Sequence, residues 1–174
     1  MTEPLNSNKL NTSKLFIISG LLLLITGMLF GLTGALQYLV PGFLKDHLSF
    51  EIIRPLHVSS VIFWIILAAM GTVLIYLQQY TKRKLYSPLL LKVQYLLFAI
   101  SICAILISYC AHLFGGREYW EFHPAFAIPI ATGWILFIIN FIKSLGGFRN
   151  QPVYVWMWPT GLAFFLFTFA ESYL

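Results

Sequence analysis

His57 follows Arg54 by three residues in the run RPLHVSSVIFWIILAAMGTVLIY, Arg54 to Tyr76, so in a helix the imidazole and the guanidinium share one face. A neutral imidazole can offer a nitrogen lone pair to iron, and a cation one turn nearer the water can meet the carboxylates of a haem. The segment is long and apolar enough to cross a bilayer, and ionisable residues at membrane depth usually have a function. A histidine in this position can equally rest its ring among lipid headgroups, and the segment alone leaves both readings standing.

A second group of reactive side chains lies in Gly115-Gly116-Arg117-Glu118-Tyr119-Trp120-Glu121. Glu118 and Glu121 are three apart, so on a helical turn both carboxylates point the same way and can share a hard cation such as calcium. Two carboxylates alone are too few ligands. The alternatives are a solvated loop in which Arg117 pairs with a neighbouring acid, and a relay that passes protons to a membrane cofactor. His112 and His123 flank the loop and read as interfacial residues, with His123 before Pro124 at a helix start. Glu171 is either at the interface or turned into the bundle. Cys103 and Cys110 stand seven apart in an apolar run and read as buried thiols; without CxxC or CxxCH they make no zinc ribbon and attach no c-type haem.

The elements that must position these groups are membrane helices. Of 174 residues 59% are hydrophobic and 10% charged, with 16 Phe, 9 Tyr and 5 Trp, a balance that no soluble domain of this size needs. The net charge of +5 reports membrane orientation rather than an anionic ligand, and a nucleic-acid partner is excluded. Residues 1–13 form a polar tail, and the following apolar run is too long, and lacks the small-residue site, to be a removable signal peptide. Residues 14–174 form a single transmembrane domain of five helices, expected at about 14–40, 54–79, 86–114, 123–142 and 153–174. Gly20, Gly27, Gly31 and Gly34 in the first span suit close helix packing; a flat cofactor edge resting on the same face is the other option. The rings of Tyr154, Trp156 and Trp158 open the last span as an aromatic belt.

With the N-terminus in the cytoplasm, Lys9, Lys14, Lys82, Arg83, Lys84, Lys92, Lys143 and Arg149 fall inside, against Lys45, Arg54 and Arg117 outside. The C-terminus then reaches the outer face. His57, Arg54, His112, Arg117, Glu118, Glu121, His123 and Glu171 converge on that face from four separate stretches, which marks it as the place for a site.

Three stretches in this order, RPLHVSSVIFWIILAAMGTVLIYL, GREYWE and PVYVWMWPTGLAFFLFTFAESYL, resemble the N-terminal part of the large catalytic subunit of respiratory nitric oxide reductase, within the haem-copper oxidase superfamily. The resemblance covers nearly all of the chain after residue 14. It implies that the five spans are part of a twelve-helix fold in a bacterial inner membrane, and that His57 is an axial ligand of a low-spin haem b. It further implies that Glu118, the first acid of a GREYLE-like motif, ligates calcium. Glu121 would lie beside the haem propionates or at a proton entry, with Arg54 facing the propionates. Trp120 stands where the family has an aliphatic residue, and Pro159 where it has threonine.

In such a protein the high-spin haem b, the non-haem iron and the second axial histidine of the low-spin haem belong to later helices. The chain is therefore expected to be a fragment, a truncated product or half of a split subunit, inactive alone and completed by the missing half or a partner chain. The resemblance implies reduction of nitric oxide to nitrous oxide, with electrons from a membrane-anchored cytochrome c subunit. Two other readings are a C-type cytochrome oxidase subunit I fragment acting on oxygen, and a cofactor-free membrane anchor or assembly subunit.

Overall fold

The computed structural model describes residues 12–149 and 151–173; Lys9 and most of the polar tail lie outside the described residues. Five helices long and apolar enough to span a membrane follow in order: α1 (Thr12–Leu39), α2 (Phe50–Thr81), α3 (Pro88–Cys110), α4 (Ala127–Leu145) and α5 (Val153–Glu171). A single 3₁₀ turn, Pro124–Phe126, leads into α4. The fold is an all-α membrane bundle, with no strand among the described residues.

Helix ends depart from the hydropathy boundaries where caps decide them. Ser49 is extended, and its carbonyl accepts from the N–H groups of Ile52 and Ile53, so α2 opens at Phe50 rather than Arg54. Pro55 is tolerated in the second turn, where it deprives only the Glu51 carbonyl of a partner. Ser87 caps α3, its hydroxyl accepting from Leu90 N–H, with Pro88 in the first turn. At the other end Leu113 N–H donates to Ser108 O and His112 N–H to Tyr109 O, a Schellman pair that holds His112 at φ 57°. Leu113 and Phe114 are apolar, yet this turn takes them out of the helix. Gly146, at φ 76°, ends α4 three residues beyond the expected Ile142.

The most extensive interface is the antiparallel pair of α1 and α2, and its cause is the glycine face. Gly20, Gly27, Gly31 and Gly34 all turn toward α2, and Gly71 answers from α2. A Cβ on Gly71 would stand 2.7 Å from Ile17 Cγ1 and 2.8 Å from the Ser13 carbonyl, so the backbones approach only because it is absent. Side chains and backbone of α2 lie against the glycine face, the close helix packing that the spacing suits.

α2 is central and also meets α3 and α4, while α3 packs along α4. Asn140 of α4 clamps the start of α3: its Oδ1 accepts from Ser87 N–H and its Nδ2 donates to Ser87 O, both at 3.1 Å. Ser144 Oγ accepts from Tyr86 N–H at 2.8 Å. The N–H groups of Tyr86 and Ser87, otherwise orphaned, are satisfied in this way, and the Ser87 carbonyl, which also accepts from Leu91 N–H, gains a second donor. α5 is the least covered helix and packs through rings, Trp134 on Phe165 at 4.2 Å and Phe141 on Trp158 at 5.7 Å. Cys103 and Cys110 are exposed, contrary to the buried thiols expected, because their face of α3 points away from α2 and α4.

The alternating helix directions separate charge. Asp46, Glu51, Glu118, Glu121 and Glu171 lie at one end of the bundle; Lys14, Lys82, Arg83, Lys84, Lys92, Lys143 and Arg149 lie at the other.

Candidate functional site

The acidic end gathers Arg54, Glu118 and Glu121. Arg54 rises from the start of α2, and its Nη2 donates to Glu121 Oε1. Its Nη1 stands 3.7 Å from Glu118 Oε1. The loop is not helical: Tyr119 has φ 69°, and Trp120 N–H closes a turn on Arg117 O at 2.9 Å. Both carboxylates nevertheless face one cation, and that cation is the guanidinium. Their side chains differ in shelter, 16% exposed for Glu121 against 69% for Glu118, so Glu121 is the member that depends on Arg54.

The loop is pinned from both sides. Gly115 and Gly116 N–H both donate to the Glu121 carbonyl, at 3.0 and 3.2 Å. A Cβ on Gly116 would fall 1.5 Å from Trp120 O, so no other residue fits there without moving the backbone. Trp120 inserts its ring beside Phe63, Phe122, Phe165 and Phe169, joining the loop to α2 and α5. An aromatic residue at this position serves as a wedge. Arg117 pairs with no acid among the described residues; its Nη1 donates to the Glu171 carbonyl at 3.4 Å. The Glu171 side chain is exposed at the end of α5, which decides between its two sequence readings. Nearby, burial raises the pKa of the Tyr173 phenol above its ordinary value, and Tyr109 adds to the shift. The Tyr173 hydroxyl has no partner among the described residues.

His57 lies one turn below Arg54, half-buried between α2 and α1. Its Nδ1 is 2.7 Å from the Gly27 carbonyl. A carbonyl only accepts, so Nδ1 carries the proton, and in the neutral ring Nε2 keeps its lone pair. Nε2 has no hydrogen-bond partner among the described residues. Gly31 makes the approach possible, since a Cβ there would stand 2.8 Å from the ring Cε1. Proton on one nitrogen, backbone carbonyl holding it, and a lone pair on the other is the arrangement by which proteins present imidazole to a metal. His112 is exposed in the turn after α3, and His123 Nδ1 accepts from Ala125 N–H at 3.2 Å, capping the 3₁₀ turn that leads into α4.

Two features escape a sequence reading. The Gly27 carbonyl is a backbone atom, and only the glycine spacing hints that α1 comes close enough to offer it. The hydrogen bond between Ser59 Oγ and Tyr109 Oη, 2.9 Å long and buried between α2 and α3, joins residues fifty apart that carry no shared motif. No group of three or more His, Cys, Asp or Glu side chains suited to a metal ion occurs among the described residues. At this end of the bundle the donors considered for a metal are the Nε2 of His57 and the carboxylates of Glu118 and Glu121 shared with Arg54.

Comparison with known proteins agrees with this architecture. The model of the family described as "Cytochrome C and Quinol oxidase polypeptide I" matches residues 11–174. A relative, a nitric oxide reductase subunit of Stutzerimonas stutzeri, is 27% identical over 178 aligned positions, which cover 90% of this chain and 37% of that protein. The chain thus spans well under half the length of that relative. The family match takes in all five helices, the loop with Glu118 and Glu121, and the histidine set against the α1 glycines. This chain belongs to the cytochrome c and quinol oxidase polypeptide I family.

Proposed function

We propose that this chain is the low-spin haem b-binding part of a nitric oxide reductase large subunit, and that His57 Nε2 is one axial ligand of the iron. The observation that carries the reading is the Nδ1 contact to the Gly27 carbonyl, which fixes the tautomer that leaves Nε2 able to coordinate. The bound haem supplies a one-electron relay whose potential follows from its ligands, burial and hydrogen bonds.

The chain's own residues do the positioning. Gly27 and Gly31 orient the imidazole, and the hydrogen bond at Nδ1 makes Nε2 a stronger donor. Arg54 keeps the loop carboxylates at the acidic end, one turn above the ring. A guanidinium has five N–H donors, and Arg54 retains some beyond those directed at Glu121 and Glu118, available to haem propionates. Glu118, the more exposed acid, is the calcium ligand in this reading; it would share its charge between that ion and Arg54. Glu121 lies beside the propionates or at the proton entry. The remainder of the large subunit supplies the second imidazole, the high-spin haem b and the non-haem iron. A membrane-anchored cytochrome c subunit delivers electrons at the acidic end, which faces outward from a bacterial inner membrane while the basic end faces the cytoplasm.

The likeness to a nitric oxide reductase favours nitric oxide over oxygen as the substrate of the whole assembly. The test is a reduced-minus-oxidised optical spectrum of the protein purified with its native membrane partners. A six-coordinate b-type signal that His57→Ala removes, in a variant that still elutes as the intact complex, is the expected outcome. An unchanged signal would assign the haem to another chain. No haem in an intact wild-type complex would make the chain a cofactor-free anchor.

A further inference from the structure

We propose that the groove between α4 and α5 at the basic end binds an anionic phospholipid, with an acyl chain along α5 and the phosphate at the α4–α5 loop. The groove encloses about 660 Å³. Its recess comes from small residues, Thr160 and Ala163 beside Pro159, set between the larger rings of Trp156, Phe164 and Phe167. From Trp156 to Phe167 the wall runs about 16 Å along the helix, the scale of an extended acyl chain. The one hydroxyl in the wall, Thr160 Oγ1, donates to Trp156 O at 2.9 Å, which leaves the lining predominantly apolar. A predominantly apolar wall on the outside of two membrane-length helices suits a hydrocarbon tail.

The mouth has the opposite character. Ile142 and Phe148 line the groove, and their chain neighbours are Lys143 and Arg149. Arg83 reaches the same loop, its Nη1 4.0 Å from where a Cβ on Gly146 would lie. Lys143 is partly engaged by Tyr86, hydrogen-bonding its hydroxyl at 3.2 Å and lying 4.6 Å over its ring. Arg83 and Arg149 make no ion pair among the described residues, where the ion pairs found are those of Arg54. All described acids lie at the far end of the bundle. An apolar slot ending at unpaired guanidinium groups matches a tail attached to a phosphate. A zwitterionic lipid brings its own cation to the same place and gains less. A helix of a second polypeptide laid in the slot would have to answer the cations as well.

The full chain with its membrane partners, in mild detergent, would be equilibrated with equal amounts of phosphatidylglycerol and phosphatidylcholine, washed, and its retained lipid counted by mass spectrometry. Phosphatidylglycerol should exceed phosphatidylcholine by roughly fivefold for each engaged cation. Arg83→Gln with Arg149→Gln should remove the excess, and Ala163→Phe, which fills the slot and keeps the charge, should lower retention of both lipids. Equal retention of the two lipids by the wild type overturns the proposal, as does an excess that survives both variants. A photo-cross-linker on Thr160→Cys should label lipid; labelling of a polypeptide instead makes the groove a protein interface and also overturns it.

Discussion

A single side chain, His57, shows what the sequence discloses and what it hides. Its type, its depth and its spacing from Arg54 are legible in one line of residues, because helical periodicity fixes which face they share. Its partner is not, because the acceptor is a main-chain oxygen thirty residues earlier that becomes available only where α1 lacks side chains. The structure makes the dependence testable at Gly31. A methyl group there would meet the ring Cε1 at 2.8 Å, so Gly31→Ala must turn the imidazole or push α1 away. We predict a loss of about 1–3 kcal/mol in stability, the usual cost of overpacking, measured by denaturant titration of the reconstituted protein. In haem-loaded protein the same substitution should shift the low-spin spectrum. A variant as stable as wild type, with an unaltered spectrum, would show that the contact does not position the ring.

The existence of five helices is legible from hydropathy, since long apolar runs in a chain this poor in charge have few other folds. Their ends are less so. The Schellman turn at His112 needs a left-handed non-glycine residue, and nothing in Cys110-Ala111-His112-Leu113 announces one. The spacing of Glu118 and Glu121 suggests a helical turn carrying two acids on one side; the structure achieves the shared direction by a non-helical turn and a guanidinium from α2. Because Glu121 is the sheltered acid, its coupling to Arg54 should be larger than that of Glu118. A double-mutant cycle with Arg54→Leu and Glu121→Gln should return about 1–3 kcal/mol, the range of charge-assisted hydrogen bonds. The same cycle with Glu118→Gln should return less than about 1 kcal/mol, as exposed pairs do. Equal couplings would mean that shelter does not decide the pairing.

At the scale of the whole molecule the separation of acidic from basic ends is the feature most directly readable from sequence, because it needs only the order of spans and loops. It predicts that cysteines introduced at Lys84 and at Glu118 react with membrane-impermeant thiol reagents from opposite sides of the bilayer, Lys84→Cys from the cytoplasm. The exposed Cys103 and Cys110 are first replaced by serine. Labelling of both positions from one side would contradict the five-span topology, and inverted labelling would reverse the orientation. The pairing of α1 with α2 bears on how the protein is made. Every atom that holds the imidazole ring lies between Gly27 and His57, within the hairpin of α1 and α2. At ordinary translation speeds that hairpin is complete roughly 5–20 s before residue 173 is added. A fragment made of α1 and α2 alone would therefore carry every contact that orients the ring and holds its proton on Nδ1.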